Sequence, residues 1–393
     1  MNRIINSVAD NDLYNFHMGD FFYHNYRGAP VKYTYKNRDL SIDLRPVVTD
    51  LREQLEMMAD LVLTDNEAEH MLANSKCSEE YLEYLTKTKV FNPRDYQINY
   101  SNGLQIGYGG EVQDKMYCEV SLMSVVSELH FRHLYADRYD EVLASGEKWL
   151  QEQVAWLNEH AHPKLSILEM GGRRRFSYDH HKKALKSFWE GTKVFKGTSN
   201  VHLGMELGIP YFGTMAHQLP MFMQTVYPVA ISQQKALEEW NRHFKGSLDT
   251  ALTDTLGNAK WDRDFTKEYA DMFRGERHDS GDPYEWADQR IEAAIDRDDD
   301  LSTRRLMFSD SLTFEKANEL TAAYCDAVGE VGSGIGTFVS NSMGVEGHKP
   351  IPQVSKMTWA NGLPTCKLSA DLGKSQGEDL NHTEYTKHVA AVY

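Results

Sequence analysis

The chain has 393 residues, 41% hydrophobic and 11% aromatic, with a formal charge of −16. These are globular values and too much chain for one ordinary core, so two domains or a barrel with an appendage are expected. The negative charge argues against a nucleic-acid or anionic-membrane partner, either of which needs a basic face.

Cys77, Cys118, Cys325 and Cys366 lie far apart without metal-ligand spacing and read as reduced core thiols of a cytoplasmic protein. The first six residues lack the apolar run of a signal peptide. Residues 219–231, the most apolar segment, are broken by Pro220, Gln224 and Pro228, so no membrane span is expected.

Leu51, Leu55, Met58 and Leu61 recur at helical spacing behind Thr49-Asp50, which offer a cap. Tyr96 to Tyr108 alternates and is interrupted by Asn102-Gly103, a hairpin signal. Residues 139–160 form a long amphipathic helix carrying Trp149, Leu150, Val154 and Leu157.

Beyond this point, short apolar runs end in glycine or polar clusters and alternate with helical stretches. Leu165–Met170 runs into Gly171-Gly172-Arg173, and Lys193–Phe195 into Gly197-Thr198-Ser199-Asn200. Ile209–Phe212 runs into Gly213-Thr214, Thr250–Leu252 into Thr253-Asp254, and a further segment into Arg277–Asp279. Leu306–Phe308 runs into Ser309-Asp310-Ser311, and Val331 into Gly334-Ile335-Gly336-Thr337. Helices are expected over 178–190, 232–244, 283–296 and 314–328. About seven such repeats predict a βα barrel or a doubly wound sheet, with the ligand at the carboxyl ends of the strands in either case. Residues 295–304 read as a solvated loop. In the tail, Met357–Ala360 and Leu363–Leu368 flank Asn361-Gly362, a type I′ hairpin signal whose second arm, with Pro364, is an edge strand.

The densest chemistry is Phe-Arg-Gly-Glu-Arg-His-Asp-Ser-Gly-Asp-Pro at 273–283. Arg277, Asp279 and Ser280 beside Gly281 suit a polyhydroxylated anionic substrate, with carboxylates for ribose hydroxyls and backbone N–H groups for phosphate. Asp282 before Pro283, with Glu285 following, reads as a helix N-cap; capping does not account for Arg277, Asp279 or Gly281. Arg173-Arg174-Arg175 supplies a local basic cluster.

Taken in order, several motifs resemble the nicotinate phosphoribosyltransferase family, particularly its shorter bacterial members. They are Asp12-Leu13-Tyr14 with His17-Met18, Gly172-Arg173-Arg174-Arg175-Phe176-Ser177, Gly197-Thr198-Ser199-Asn200 and Gly213-Thr214-Met215-Ala216-His217. They continue with Ala251-Leu252-Thr253-Asp254, Arg277–Pro283, Phe308-Ser309-Asp310 and Gly334-Ile335-Gly336-Thr337. The resemblance implies an α/β type II phosphoribosyltransferase fold: an N-terminal α/β sandwich over 1–125, completed by the tail 345–393, joined to an incomplete α/β barrel over 126–344. It also implies a homodimer whose active sites sit at the subunit boundary.

The implied reaction joins nicotinate to phosphoribosyl pyrophosphate, with Mg²⁺ on the phosphate oxygens and ATP as co-substrate. It is the first step of NAD salvage from nicotinate. By the same resemblance His217 is phosphorylated from ATP, Asp279 holds the ribose hydroxyls, and Asp310 lies near the ribose phosphate. Gly334, Gly336 and Thr337 cradle that phosphate. Arg173 meets the pyrophosphate or the substrate carboxylate, and Arg277 the pyridine side; Arg174 and Arg175 stay open. Ser199 stands where nicotinamide-using relatives carry Asp, which favours nicotinate. Tyr14 is the aromatic that a neighbouring subunit lays over the pyridine ring. Met170 and Gly172 depart from the usual Phe and Thr or Ser. No metal ligand is singled out. The rival readings are a nicotinamide or quinolinate enzyme of the same fold, a non-catalytic sensor, and a barrel aldolase or isomerase.

Overall fold

The computed structural model describes residues 2–369 and 377–393, so part of the expected tail, 370–376, lies outside the described residues. Strands β1 (Pro30–Asn37), β2 (Tyr96–Asn99) and β3 (Gln105–Glu111) form an antiparallel sheet with two strands from the far end of the chain. Six further strands, β4 (Ile167–Glu169), β5 (Phe195–Thr198), β6 (Thr250–Leu252), β7 (Gly275–His278), β8 (Arg305–Phe308) and β9 (Glu330–Ile335), form a parallel sheet. The tail returns as β10 (Gln353–Ala360) and β11 (Leu363–Pro364), giving the order β11-β10-β1-β3-β2 in the antiparallel sheet.

The parallel sheet has the order β5-β4-β9-β8-β7-β6. β5 and β6 follow one another in the chain yet occupy opposite edges, so the barrel stays open between them. Ile209–Phe212, expected to be a strand, contributes only a single parallel bridge from Tyr211 to Thr198. Pro210 in its middle has no N–H to donate to a ladder. β5 also sits later than the apolar run Lys193–Phe195, because its glycine and threonine pair with β4.

Several boundaries differ from expectation. The helix expected behind Thr49-Asp50 begins earlier, at Val47 after Pro46, and that cap is not used. Pro228 likewise moves the start of the next long helix to Val229, and the helix from Phe314 stops at Tyr324. Residues 295–304 are not simply a solvated loop. A 3₁₀ turn spans Leu301–Thr303, and the Asp299 side chain is enclosed, with Lys267 and Arg297 nitrogens each at 3.0 Å. In the tail hairpin Asn361 and Gly362 have φ of 51° and 77°, the pair of left-handed residues that a type I′ turn requires, and β11 is the edge strand.

Helix Leu13–Asn25 is buried through Tyr23, and helix Cys118–Leu134 through Leu129. Neither can show a polar stripe, because one core surrounds both. The second helix holds the arginine loop by its hydroxyls: Ser124 Oγ donates to Gly172 O and Ser127 Oγ to Arg175 O, both at 2.8 Å. The four cysteines are buried and unpaired. No helix among the described residues is long and apolar enough to cross a membrane.

Candidate active site

Each parallel strand hands its chain to a polar tip at one end of the barrel: Met170 after β4, Ser199 after β5, Asp254 after β6, Asp279 after β7, Asp310 after β8 and Gly336 after β9. At the centre is an imidazole. His217 sits at the head of helix Gln218–Met223, its Nδ1 2.9 Å from Thr255 Oγ1. Its Nε2 is 2.8 Å from both Asp279 Oδ2 and Lys367 Nζ. Burial, reinforced by the Lys367 charge, lowers its pKa to about 4, so the ring is neutral at pH 7. A neutral ring has one lone pair, so the two Nε2 contacts belong to opposite tautomers. The Thr255 hydroxyl accepts from or donates to Nδ1 in either.

Lys367 also bridges two carboxylates, with Nζ 3.0 Å from Asp254 Oδ2 and 3.2 Å from Asp279 Oδ2. Ser280 Oγ donates to Asp254 Oδ2 at 2.6 Å, and Ser309 Oγ to Asp279 Oδ1 at 3.3 Å. Burial pushes the Asp279 carboxyl upward, but Lys367, His217 and Arg277 outweigh it and hold the group well below the usual range. Two buried polar atoms at this mouth make no hydrogen bond among the described residues: Asp254 Oδ1, which lies 3.5 Å from His217 Nε2, and Arg277 Nε. Arg277 Nη1 donates to Met215 O at 3.2 Å.

His217, Asp254 and Asp279 bring ligand atoms within 4.8 Å of one another, as a metal site would. The donor set does not fit a resident ion, because the Lys367 ammonium already contacts both carboxylates. A divalent cation there would meet that charge at close range.

A second cluster adjoins the first. Arg173 Nη1 donates to Glu119 Oε1 at 3.1 Å, Gln218 Nε2 to Glu119 Oε2 at 2.6 Å, and Lys356 Nζ is 4.0 Å from Glu119 Oε1. Burial, opposed by Glu119, lowers Lys356 to about 8. The buried Tyr14 hydroxyl lies within reach of Asp12 and of the charges of Arg173 and Arg277. Ser199 Oγ donates to Asp12 Oδ1 at 2.7 Å. Within the chain, Tyr14 is held beside these charged groups. The cause is a main-chain zipper, Leu13 N to Ser199 O at 2.8 Å, Val201 N to Asn11 O at 3.0 Å and His202 N to Ala9 O at 2.8 Å. Gly213 permits the approach, since a Cβ there would lie 2.6 Å from Tyr14 N.

The other residues singled out from sequence fall around these clusters. Met170 packs its sulfur over Gly334, where a Cβ would come within 2.4 Å of Sδ, and Gly336 and Thr337 follow the end of β9 beside it. At Gly172 a Cβ would meet nothing nearer than 3.6 Å, so a larger residue fits. Asp310 accepts from Ser311 Oγ at 3.1 Å and lies in the field of Arg174. Arg175 is tied through both Nη atoms to Asp10 at 2.7 and 2.8 Å, and Arg174 to Gln353 O at 2.7 and 3.2 Å, which leaves Arg173 facing the mouth. Asp282 caps its helix, accepting from Tyr284 N and Glu285 N at 2.9 Å, and Gly281 turns the chain with φ of 87°.

Sequence reasoning did not single out Lys367, Thr255, Glu119 or Lys356. The strand-tip rule that flagged Thr253-Asp254 needed one more residue to reach Thr255. A lone lysine after an edge hairpin, and a glutamate opening a buried helix, carry no local signal at all.

An open parallel barrel with a neutral imidazole, paired carboxylates and spare guanidinium donors at its strand tips defines an α/β-barrel enzyme for anionic substrates. The profile described as the nicotinate phosphoribosyltransferase (NAPRTase) family matches residues 165–392, and that of its N-terminal domain residues 9–127. The nicotinate phosphoribosyltransferase of Photorhabdus laumondii is 33% identical over 399 residues, covering 99% of this chain and 96% of its own. That of Pseudomonas savastanoi is 34% identical over 400 residues, covering 100% and 96%. Among solved structures, the nicotinate phosphoribosyltransferase of Vibrio cholerae superposes with a TM-score of 0.92 at 28% identity, over 100% of this chain and 94% of that one. The Porphyromonas gingivalis protein gives 0.91 at 26% identity, over 99% and 100%. The chain belongs to the nicotinate phosphoribosyltransferase family and has its α/β type II fold, an α/β sandwich joined to an incomplete barrel.

Proposed function

We propose that this chain joins nicotinate to phosphoribosyl pyrophosphate, giving nicotinate mononucleotide and pyrophosphate, with ATP hydrolysis coupled through a phosphohistidine at His217. In a cell this is the first step of NAD salvage from nicotinate. The observation that carries the coupling is the neutral ring of His217, with Thr255 on Nδ1 and Nε2 turned to Asp279 and Lys367.

With its proton on Nδ1 and donated to Thr255, His217 presents the Nε2 lone pair to the mouth. That pair forms the N–P bond to the γ-phosphoryl group of ATP as the bridging P–O bond breaks and ADP leaves. Water later cleaves the N–P bond. In the transfer itself pyrophosphate departs from C1 of the ribose, and oxocarbenium charge develops. Asp279, held ionised, faces the ribose hydroxyls and that charge, and Asp310 stands at the next strand tip near the ribose phosphate. Gly334, Gly336 and Thr337 line the phosphate end. Mg²⁺ enters with the diphosphate as part of the substrate, since it retains waters and favours phosphate oxygens.

Arg173, aligned by Glu119, and Arg277, with its spare Nε donor, suit an anionic pyridine. Burial raises the pKa of Asp12, and its carboxyl accepts from Ser199 Oγ beside the base site. Tyr14 covers the ring from one side, with Met170 in place of a second aromatic wall. A cytoplasmic homodimer with active sites at the subunit boundary accompanies this reading.

The test is nicotinate mononucleotide formation with and without ATP, with nicotinamide in parallel. Turnover on nicotinate alone, raised by ATP, is expected. His217→Ala keeps slow ATP-independent turnover and loses the stimulation. Equal use of nicotinamide would reject the base assignment, and full ATP stimulation of His217→Ala would reject the coupling.

A further inference from the structure

We propose that Gln224 is a positioning residue of this site: it anchors a strap formed by Thr365–Leu368, so that Lys367 is delivered onto His217. The inference rests on the proposed function only for its catalytic readout.

Helix Gln218–Met223 has His217 at its head and Gln224 at its foot. The buried Gln224 amide pairs with Cys366 in both directions, donating from Nε2 to Cys366 O at 2.7 Å and accepting Cys366 N–H on Oε1 at 2.9 Å. A neighbouring strand would make the same two bonds. One is needed here because the sheet ends just before: β11 has two residues, one of them Pro364.

On one side of Gln224, Thr365 N donates to Thr358 O at 3.0 Å. On the other, Leu368 N donates to Thr255 O at 2.9 Å, and Thr255 is the residue whose hydroxyl meets His217 Nδ1. Both chain neighbours of Lys367 are therefore fixed to elements that also hold the imidazole. The long, rotamer-rich lysine side chain is left to span to Nε2, Asp254 and Asp279.

Only an amide serves at position 224. Leucine offers neither bond, and glutamate sets a carboxylate against the Cys366 carbonyl. If the strap loosens, the carboxylates of Asp254 and Asp279 lose their ammonium and draw a proton to the imidazole. The Nε2 lone pair that the phosphoryl group requires is then lost.

The experiment compares Gln224→Leu, Gln224→Glu, Lys367→Met and the Gln224→Leu/Lys367→Met double variant. The acid-labile label transferred from γ-labelled ATP is measured, with His217→Ala as the blank. Gln224→Leu should slow labelling by about 10²-fold, the scale of an ångström's misplacement, with Gln224→Glu intermediate. The double variant should be no slower than Lys367→Met alone, because one residue acts through the other. Losses that multiply in the double variant, or wild-type labelling in Gln224→Leu, would overturn the inference.

A second readout does not depend on phosphoryl transfer. Amine modification of Lys367, followed by peptide mass, should be slow in the wild type and at least tenfold faster in Gln224→Leu. Equal protection in both would overturn the positioning role whatever ATP does. Absence of label from the wild type would instead reject the phosphohistidine reading and leave this second test decisive.

Discussion

Glu276 within β7 and Asp279 just beyond it are carboxylates three positions apart, surrounded by similar numbers of donors, and built for opposite purposes. Strand alternation sends Glu276 and His278 into the helix layer, while Arg277 and Asp279 turn to the mouth. Glu276 accepts Trp261 Nε1 at 2.7 Å and Arg304 Nη2 at 3.3 Å, with Arg290 Nη1 at 3.5 Å. Its side chain is 4% exposed, against 29% for Asp279. Around Asp279 the partners are themselves unfinished: the His217 lone pair is contested, and Arg277 Nε and Asp254 Oδ1 have no hydrogen bond among the described residues. A saturated, enclosed carboxylate holds layers together; one whose neighbours keep spare donors and a path to solvent is available to a ligand.

Exchanging the two roles is the severest way to break this comparison. Asp279→Asn should lower kcat on the order of 10²–10³-fold, the scale of removing one electrostatic stabiliser, with little change in the denaturation midpoint. Glu276→Gln should do the reverse. Stripping a charge from a buried pair costs roughly 3–5 kcal/mol, while kcat per folded molecule, counted by active-site titration, stays at the wild-type level. A stable but inactive Glu276→Gln, or an unfolded Asp279→Asn, would merge the two classes.

A smaller effect separates them by pH. His217 titrates at about 4 in the folded chain against about 6.5 when unfolded, so between those values the unfolded state binds more protons. Stability contributed by the neutral ring is complete above the unfolded value and is lost as pH falls toward 4, by roughly 3 kcal/mol at most. His217→Gln should lessen the slope of denaturation free energy between pH 7 and 5 by one group's share, since burial lowers His17, His130 and His180 as well, whereas Glu276→Gln should leave that slope in place. A wild-type slope retained in His217→Gln would mean that the acid sensitivity resides elsewhere.

How much of this could be read in the sequence follows from where the information lies. β6, helix 139–160 and helix Pro283–Asp296 appeared at their observed bounds, because local spacing, caps and proline fix them. So did the Asn361-Gly362 hairpin, whose turn chemistry is contained in two residues. The choice between open sheet and barrel was not legible from periodicity, since it depends on how strands distant in the chain are ordered, with β5 and β6 at opposite edges. At the site, Asp279 stood out because charged residues and Gly281 surround it, and His217 only through the family motif in which it stands. Lys367 and Glu119 did not, because each reaches the mouth through long-range docking: a tail strand returning to β1 in one case, and a buried helix with no polar stripe in the other.

The mildest test uses the other aspartate of the same motif. Asp282 stands three residues beyond Asp279, and the sequence reads it as a helix N-cap. In the fold Asp282 spends its Oδ1 on Tyr284 N and Glu285 N, with Pro283 filling the first helical position, where no N–H is needed. Its carboxylate therefore satisfies the helix start, and its charge complements the N-terminal dipole. Asp282→Ala should cost about 1 kcal/mol of stability, with kcat and both KM values within twofold of the wild type; Asp282→Ser should restore most of the loss, since a hydroxyl caps equally well. A tenfold rise in the KM for phosphoribosyl pyrophosphate at unchanged stability would instead move Asp282 into the site. The line between the binding and the building carboxylates of this strand would then have to be drawn beyond Pro283 rather than before Gly281.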